Sequence, residues 1–171
     1  MAIRTILRYP DKRLRVKAET VTKFDDALKT LVDDMAETMY AAPGVGLAAP
    51  QIGVPLRLFV IDIAGEDEPS ELKVFINPEF VSKEGELAWE EGCLSFPGIH
   101  EEIERAERVV VKAQDVNGKP FTLEATELLS IAVQHEFDHL DGTLMIDRVS
   151  LLKKRFIDRE MRRAQGSHAR A

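Results

Sequence analysis

The sequence contains few of the features that mark secreted, membrane or disordered proteins. Its single cysteine among 171 residues cannot form an intramolecular disulfide, which excludes a disulfide-stapled scaffold. No apolar run approaches the roughly 20 residues that a membrane-spanning helix needs, and the first residues lack the apolar core and cleavage site of a secretory signal. With 44% hydrophobic residues, the chain is too apolar for general disorder. We therefore expect a soluble protein of a reducing compartment, the cytoplasm.

Charge is distributed unevenly along the chain, whose formal net charge is −7. Residues 1–147 contain 15 Lys and Arg against 28 Asp and Glu, whereas residues 148–171 contain 8 against 2. The acidic body argues against DNA or general nucleic-acid binding. The basic C-terminal segment has two interpretations, a solvated terminal helix or an element that docks on a polyanion.

The sequence also lacks internal repeats, low-complexity stretches and long linkers, which predicts one domain. Helical spacing of apolar residues predicts a helix over residues 24–41, with Thr22 as N-cap, followed by a glycine-punctuated loop at residues 44–53. Short strands are expected at residues 58–63, 74–77, 80–82 and 86–89, and then a hairpin formed by residues 108–114 and 120–125. Helical patterns at residues 126–140 and 150–164 complete an α+β fold, with mixed or antiparallel sheets packed around the second helix.

That second helix contains the motif HEFDH at residues 135–139. Positions i and i+4 share one helical face, so both imidazoles can reach one metal ion, and Glu136 lies beside them where a carboxylate can act as base on a metal-bound water. Three apolar residues precede His135 on the same face: Leu128, Ile131 and Ala132. Both histidines therefore emerge from a buried stripe, where polar rings need partners. The alternative is a pair of ordinary helix-surface histidines.

A catalytic metal site of this type needs a third protein ligand and one open position. The candidates are a carboxylate, another histidine or Cys93, which follows a predicted strand in the segment EEGCLS at residues 90–95. A free cysteine is commonly a small buried hydrophobe, but these acidic and glycine neighbours are more typical of a functional turn. One thiolate and two imidazoles would suit zinc on ligand type alone.

Three motifs together resemble those of the bacterial peptide deformylases: GVGLAAPQ at residues 44–51, EGCLS at residues 91–95 and QHEFDH at residues 134–139. They occur in the order and spacing of that family. The resemblance extends to about residue 150, which predicts a catalytic domain at residues 1–150 and a basic helix or tail of the same domain at residues 151–171. It implies an enzyme that removes the N-formyl group from the formyl-methionine of nascent polypeptides. It also implies one ferrous ion (Fe2+) per chain, with Zn2+, Ni2+ or Co2+ able to substitute.

The same resemblance implies a role for individual residues. The metal ligands would be Cys93, His135 and His139. A metal-bound water would attack the formyl carbon, with Glu136 as general base and acid, while Gln51 and the backbone N–H of Leu94 would stabilise the oxyanion. The positions that match substrate-binding residues are Gly46, Val45, Trp89, Glu91, Arg105, Leu128, Ile131 and Ala132.

Several of these assignments have alternatives. Arg105 fits a structural ion pair as well as substrate binding, and the three apolar helix residues could form only core. His100 stands where many relatives carry a basic residue and would be neutral much of the time near pH 7. A zinc endopeptidase would need His or Glu as its third ligand. A non-catalytic metalloprotein, or a ribosome-associated binding module that keeps the site as a structural element, would need neither Glu136 nor Gln51. Because a deformylase meets its substrate on the ribosome, the basic segment would then dock on ribosomal RNA.

Overall fold

The computed structural model describes residues 2–65 and 67–170, with side chains through residue 165. Within these residues the chain forms a five-stranded sheet, a two-stranded sheet and three α-helices. The strands are Gly46–Ala48 (β1), Leu58–Ile61 (β2), Lys73–Glu84 (β3), Leu87–Cys93 (β4), Phe96–Arg105 (β5), Arg108–Gln114 (β6) and Pro120–Thr126 (β7). The helices are Asp26–Ala41 (α1), Glu127–Leu140 (α2) and Leu151–Arg170 (α3). Short 3-10 helices cover Lys12–Arg15, Ala49–Ile52 and Met145–Arg148.

Both sheets are antiparallel throughout. The larger sheet has the order β1-β2-β3-β6-β7, and the smaller one pairs β4 with β5. Helix α2 lies between these layers, and ten of its 14 residues are buried. The predicted α+β class and the three helices are therefore confirmed.

The first helix begins later than the sequence pattern predicts. Asp25 is the N-cap of α1, and its carboxylate accepts a hydrogen bond from the backbone N–H of Leu28 at 3.1 Å. The prediction of Thr22 as N-cap was wrong because a carboxylate three residues closer to the first turn takes that position, where the helix dipole also favours negative charge.

Two predicted strands are one strand in the structure. The expected segments 74–77 and 80–82 both belong to β3, whose pairing with β6 shifts register between Ile76 and Glu79. The backbone of Asn77 adopts a positive φ of 52° at this irregularity, and Pro78 has no N–H to donate. A bulge inside a strand thus looked like a break between strands.

The segment predicted as a glycine-punctuated loop contains regular structure. Its middle forms β1, which pairs with β2 through the register Leu47↔Val60. The following residues form the 3-10 helix Ala49–Ile52. Strand β1 is buried along its whole length, so it brings backbone close to α2 in the interior.

Helix α3 is longer than the predicted residues 150–164. Ile157 and Met161 pack into a buried cluster that also contains Phe96 and Ile103 of β5. This packing attaches the basic C-terminal segment to the two-stranded sheet. In the described part of the chain, no helix combines the length and apolar character needed to cross a membrane.

Candidate active site

Three potential metal ligands meet where the end of β4 faces α2. Ligand atoms of Cys93, His135 and His139 all lie within 4.8 Å of one another. The Sγ of Cys93 is 3.5 Å from Nε2 of His139, and the two imidazole centroids are 5.3 Å apart. The i, i+4 spacing places both rings on one buried face of α2. One thiolate and two imidazoles are donors that suit a divalent transition metal.

The surroundings of this cluster fit a metal ion that keeps one coordination position open for a water or substrate atom. Among the described residues, the buried Oε1 of Glu136 and Nδ1 of His139 have no hydrogen-bond partner. An unpaired buried carboxylate oxygen is costly unless a further group binds there. Its place beside the three ligands fits a site at which Glu136 meets a water or substrate atom.

Burial controls the proton affinity of Glu136. It raises the pKa of this carboxyl to about 7, although the nearby charges of His135 and Arg105 act in the opposite direction. A carboxyl group with a pKa near neutrality can both accept and donate a proton at physiological pH. This is the property that a general base and acid requires.

The two histidines differ in proton affinity. Burial opposes a charged ring at His135, but the hydrogen bond and charge of Cys93 and the carboxylates of Glu136 and Glu91 outweigh it and raise its pKa. Burial and the charge of His135 lower the pKa of His139. His139 is therefore neutral, the form in which an imidazole binds metal, whereas His135 must release a proton when it binds one.

A buried ion-pair network holds the Nδ1 side of the His135 ring. The Nδ1 of His135 is 2.9 Å from Oε1 of Glu91, and Arg105 donates two hydrogen bonds to the same carboxylate, at 2.6 and 3.0 Å. Arg105 donates a third, at 3.0 Å, to Asp138. Asp138 also accepts hydrogen bonds from Arg148 at 2.7 and 3.1 Å. The network fixes the ring orientation and leaves Nε2 of His135 to face the other ligands.

Gln51 lies beside Cys93 of the ligand cluster and is buried. Its Oε1 accepts a hydrogen bond from the backbone N–H of Ala48 at 2.9 Å, which fixes the orientation of the amide. Its Nε2 consequently points towards Ser95 Oγ at 3.1 Å and Cys93 Sγ at 3.7 Å. Gln51 thus presents a donor to the site.

Gly46 of β1 approaches the carboxylate of Glu136 more closely than any other residue type could. A Cβ atom at this position would lie 2.6 Å from Oε2 of Glu136. Gly44 is similarly close to another candidate residue, because its Cβ would lie 2.8 Å from the side chain of Leu94. The two glycines of the GVG segment therefore allow the backbone to form one wall of the site.

A cavity of about 840 Å³ opens over these residues. Its lining includes the candidate catalytic and metal-binding residues Cys93, His135, Glu136, Gln51 and Leu94, and also Val45, Gly46 and His100. The N-terminal segment also contributes Ile3, Arg4, Thr5, Ile6 and Arg8. Sequence reasoning missed this segment because it has no motif and reaches the site only through non-local contacts.

Six residues that the family resemblance places in substrate binding do not line this cavity. Glu91 and Arg105 are buried in the ion-pair network, Ile131 and Ala132 are buried on α2, Leu128 is half-buried and Trp89 is 40% exposed on β4. Leu128, Ile131 and Ala132 nevertheless share the face of α2 that carries His135.

Comparisons with known proteins agree with this geometry. The family model described as polypeptide deformylase matches residues 3–155. A peptide deformylase of Chromobacterium violaceum is 52% identical over 165 residues, which cover 96% of this chain and 98% of the relative. The crystal structure of a peptide deformylase from Legionella pneumophila matches with a TM-score of 0.92 and 51% identity over 99% of both chains. A plant peptide deformylase structure matches with a TM-score of 0.89 and 37% identity, over 96% of this chain and 90% of that one.

These matches extend over nearly the whole chain and well above the identity at which a family is shared. The alternative of a zinc endopeptidase is not supported, because the matching proteins are deformylases. The chain therefore belongs to the peptide deformylase family, whose members are metal-dependent hydrolases that remove the N-formyl group from nascent polypeptides.

Proposed function

We propose that the chain removes the formyl group of formyl-methionyl peptides with Glu136 as the proton-transferring residue, next to a metal held by Cys93, His135 and His139. The observation that carries this proposal is the unpaired, buried carboxylate oxygen of Glu136 beside the three donor atoms. A structural metal site would not need a buried carboxyl group with a pKa of about 7 at its edge.

A divalent ion bound there would polarise the formyl carbonyl and lower the pKa of a water. Glu136 takes the proton of the attacking water and delivers it to the nitrogen of the leaving amine. Positioned proton transfer of this kind contributes about 10²–10⁴-fold to the rate. The close approach of Gly46 keeps the carboxylate at one wall of the cavity.

The oxyanion that develops on the formyl oxygen is stabilised by two donors of the chain, the side-chain amide of Gln51 and the backbone N–H of Leu94. The hydrogen bond from Ala48 holds the amide with its NH₂ group towards the site. Each preorganised donor of this kind is worth roughly 3–4 kcal/mol of transition-state stabilisation.

The substrate backbone pairs with Gly46, next to Val45 at the cavity wall. The methionine side chain lies next to His135, on the face of α2 that also carries Leu128, Ile131 and Ala132. These three residues and Trp89 do not line the cavity, so their part in the pocket is to support the residues that do. Burial favours an indirect role for Glu91 and Arg105, because each is less than 10% exposed and hydrogen-bonded within the network. They act on the reaction by orienting His135.

We propose Fe2+ as the physiological ion, with Zn2+, Ni2+ and Co2+ as substitutes. The thiolate of Cys93 is a soft donor that all of these ions accept. Because both ferrous iron and the thiolate can be oxidised, activity should decline in air and be protected by replacement with a redox-inert ion.

The basic C-terminal segment, residues 151–171, forms the second part of the proposal. On α3 the side chains of Arg155 and Arg159 form no salt bridge within the described residues, and Leu152 and Phe156 expose apolar surface beside them. We propose that this surface docks on ribosomal RNA, which would place residues 1–150 as a catalytic domain near emerging chains in the cytoplasm. The side chains beyond residue 165 lie outside the described residues.

Formate release tests the catalytic assignment. Protein prepared without oxygen and loaded with Fe2+ should release formate from a formyl-Met tripeptide without cutting internal peptide bonds. Glu136→Gln should retain the metal and lose activity by at least 10²-fold, whereas Glu104→Gln, an exposed glutamate on β5, serves as the control. Cys93→Ser should lose metal as well as activity. Absence of formate release from fully metallated protein would refute the proposal.

Co-sedimentation with ribosomes tests the docking assignment. Arg155→Glu with Arg159→Glu should weaken binding, and binding of the unmodified chain should fall steeply with salt concentration. Lys112→Glu with Lys119→Glu, on the β6–β7 hairpin, makes the same change of charge at a distant exposed surface. Equal binding of the two double variants would contradict an RNA-docking role for α3.

A further inference from the structure

The cavity over the active site is lined by two arginines in a protein of net charge −7. Its lining contains two arginines, Arg4 and Arg8, and a single carboxylate, Glu136, which lies at the catalytic end. Away from the metal ligands, the charged side chains of the lining are therefore the two arginines. This local sign is opposite to that of the acidic body and points to a ligand with negative charge.

The two arginines differ in what they already bind. The guanidinium of Arg4 donates from Nε and Nη2 to Asp34 at 2.9 and 2.8 Å, so its charge is neutralised within the protein. Arg8 is exposed and forms no salt bridge with a carboxylate of the described residues. Among the described residues of the lining, Arg8 is therefore the arginine whose charge no carboxylate neutralises.

The backbone holds Arg8 at a fixed distance from the catalytic residues. The N–H of Leu7 donates to the carbonyl of Gln51 at 2.7 Å, and the N–H of Tyr9 donates to the carbonyl of Ser95 at 3.0 Å. The Tyr9 ring also stacks on Phe96, with centroids 5.1 Å apart. Arg8 thus stands between two residues tied to the segments that carry Gln51 and Leu94, and only its side chain is free to move.

We propose that Arg8 is a specificity-determining residue of the deformylation reaction. It favours formyl-methionyl peptides with an acidic side chain at one of the second to fourth residues and disfavours those with lysine there. The cavity is large enough for several peptide residues, and Arg8 belongs to its lining, so a charged side chain downstream of methionine would share the cavity with Arg8. This inference rests on the proposed function.

The expected size of the preference follows from the exposure of Arg8. Ion pairs between exposed groups change an equilibrium by up to about fivefold, and they weaken as salt screens the charges. Because Arg8 is not among the residues proposed to hold the metal, transfer the proton or stabilise the oxyanion, the effect should fall on KM and leave kcat nearly constant. If Arg8 had only a structural role, its replacement would change kcat/KM by the same factor for all peptides.

The test compares amidated peptides of the form formyl-Met-Ala-Xaa-Ala, in which Xaa is Glu, Gln or Lys. Two further series place Glu, Gln or Lys at the second or at the fourth residue instead. The Fe2+ enzyme should show about a fivefold higher kcat/KM for Glu than for Lys at one or more positions. Arg8→Gln should abolish this ratio, and Arg8→Glu should reverse it. Lys112→Glu makes the same change of charge away from the cavity and should retain the ratio. High salt should reduce the Glu-to-Lys ratio of the unmodified enzyme.

The possible outcomes distinguish a failure of the proposed role of Arg8 from a failure of the proposed function. If the Gln peptide is deformylated but the Glu-to-Lys ratio is the same in the unmodified enzyme and in Arg8→Glu, the role of Arg8 is refuted and the proposed function stands. If Lys112→Glu reverses the ratio as well, long-range charge and not Arg8 sets the preference. If the metallated enzyme releases formate from none of the peptides, the proposed function itself fails.

Discussion

Replacement of Arg105 by methionine should be among the most destabilising single changes in this protein. Arg105 is 8% exposed and donates three hydrogen bonds to two buried carboxylates, Glu91 and Asp138. Methionine would fill similar volume but would leave each carboxylate without one of its cationic partners. His135 and Arg148 would remain as partners, at 2.9 and 2.7 Å respectively.

Breaking a buried ion pair by removing one partner costs about 3–5 kcal/mol, because an uncompensated charge stays in a region of low dielectric. Burial by itself raises the pKa of Glu91, but its hydrogen bonds to His135 and Arg105 outweigh burial and lower it. Loss of Arg105 removes one of those two hydrogen-bond partners. We therefore expect the free energy of unfolding to fall by about 3–5 kcal/mol at pH 7.

Arg108 offers a matched control. It also bridges two carboxylates, Glu84 at 3.1 Å and Glu124 at 2.7 Å, but all three side chains are substantially exposed. Arg108→Met removes the same charge and similar hydrogen bonds on the surface, where solvent replaces them. Its effect on stability should be far smaller than that of Arg105→Met.

Urea unfolding followed by circular dichroism measures both variants. A chelator should be present throughout, because metal bound only to the folded state would add its own stabilisation. Comparable m-values would show that both variants unfold from similarly compact states. Equal losses for Arg105→Met and Arg108→Met, or a loss below about 1 kcal/mol for Arg105→Met, would refute the reasoning that burial makes this network essential.

Three further outcomes follow from single contacts. Gly46→Ala should abolish activity, since its Cβ would lie 2.6 Å from Oε2 of Glu136, whereas Gly65→Ala, with ordinary contacts, should not. Burial opposes a low pKa at Asp62, but four hydrogen bonds lower it, so its stabilisation is present above about pH 4 and lost as the pH falls through the folded value. The difference in free energy of unfolding between the native chain and Asp62→Asn should therefore shrink on acidification below about pH 4. Chelation should lower the Tm of the native chain and leave that of Cys93→Ser unchanged, which calorimetry can check.

Local patterns predicted the elements that local interactions define. Helix α2 and the β6–β7 hairpin appear almost within the predicted bounds, because the apolar periodicity and the Asn117-Gly118 turn are short-range signals. Strand β5 was not predicted. Its residues include Gly98, Glu101 and Glu102, which weaken strand propensity, and its formation depends on pairing with β4.

The candidate site likewise has a part that local sequence patterns predict and a part that depends on contacts between distant segments. The i, i+4 spacing within α2 is sufficient to place His135 and His139 together, and the motif around Cys93 adds the third donor through resemblance. The partners of Arg105 could not be read from the sequence, because Glu91 and Asp138 lie on different elements. The same holds for Arg8, which reaches the cavity through two backbone hydrogen bonds to distant segments.

Strand register explains how the smaller sheet supplies several site residues at once. Alternation along β4 turns Glu91 towards α2 and leaves Glu90 exposed, and alternation along β5 buries Ile103 and Arg105 while Glu104 faces solvent. A slip of one residue in β4 would turn Glu90 towards α2 and move Glu91 away from His135. Because residues 90 and 91 are both glutamates, Arg105 and His135 would still meet a carboxylate after such a slip. The same slip would turn Cys93 away from the two histidines and put Gly92 in its place. The position of Cys93, and not the ion pair of Glu91 alone, therefore requires the observed register of β4.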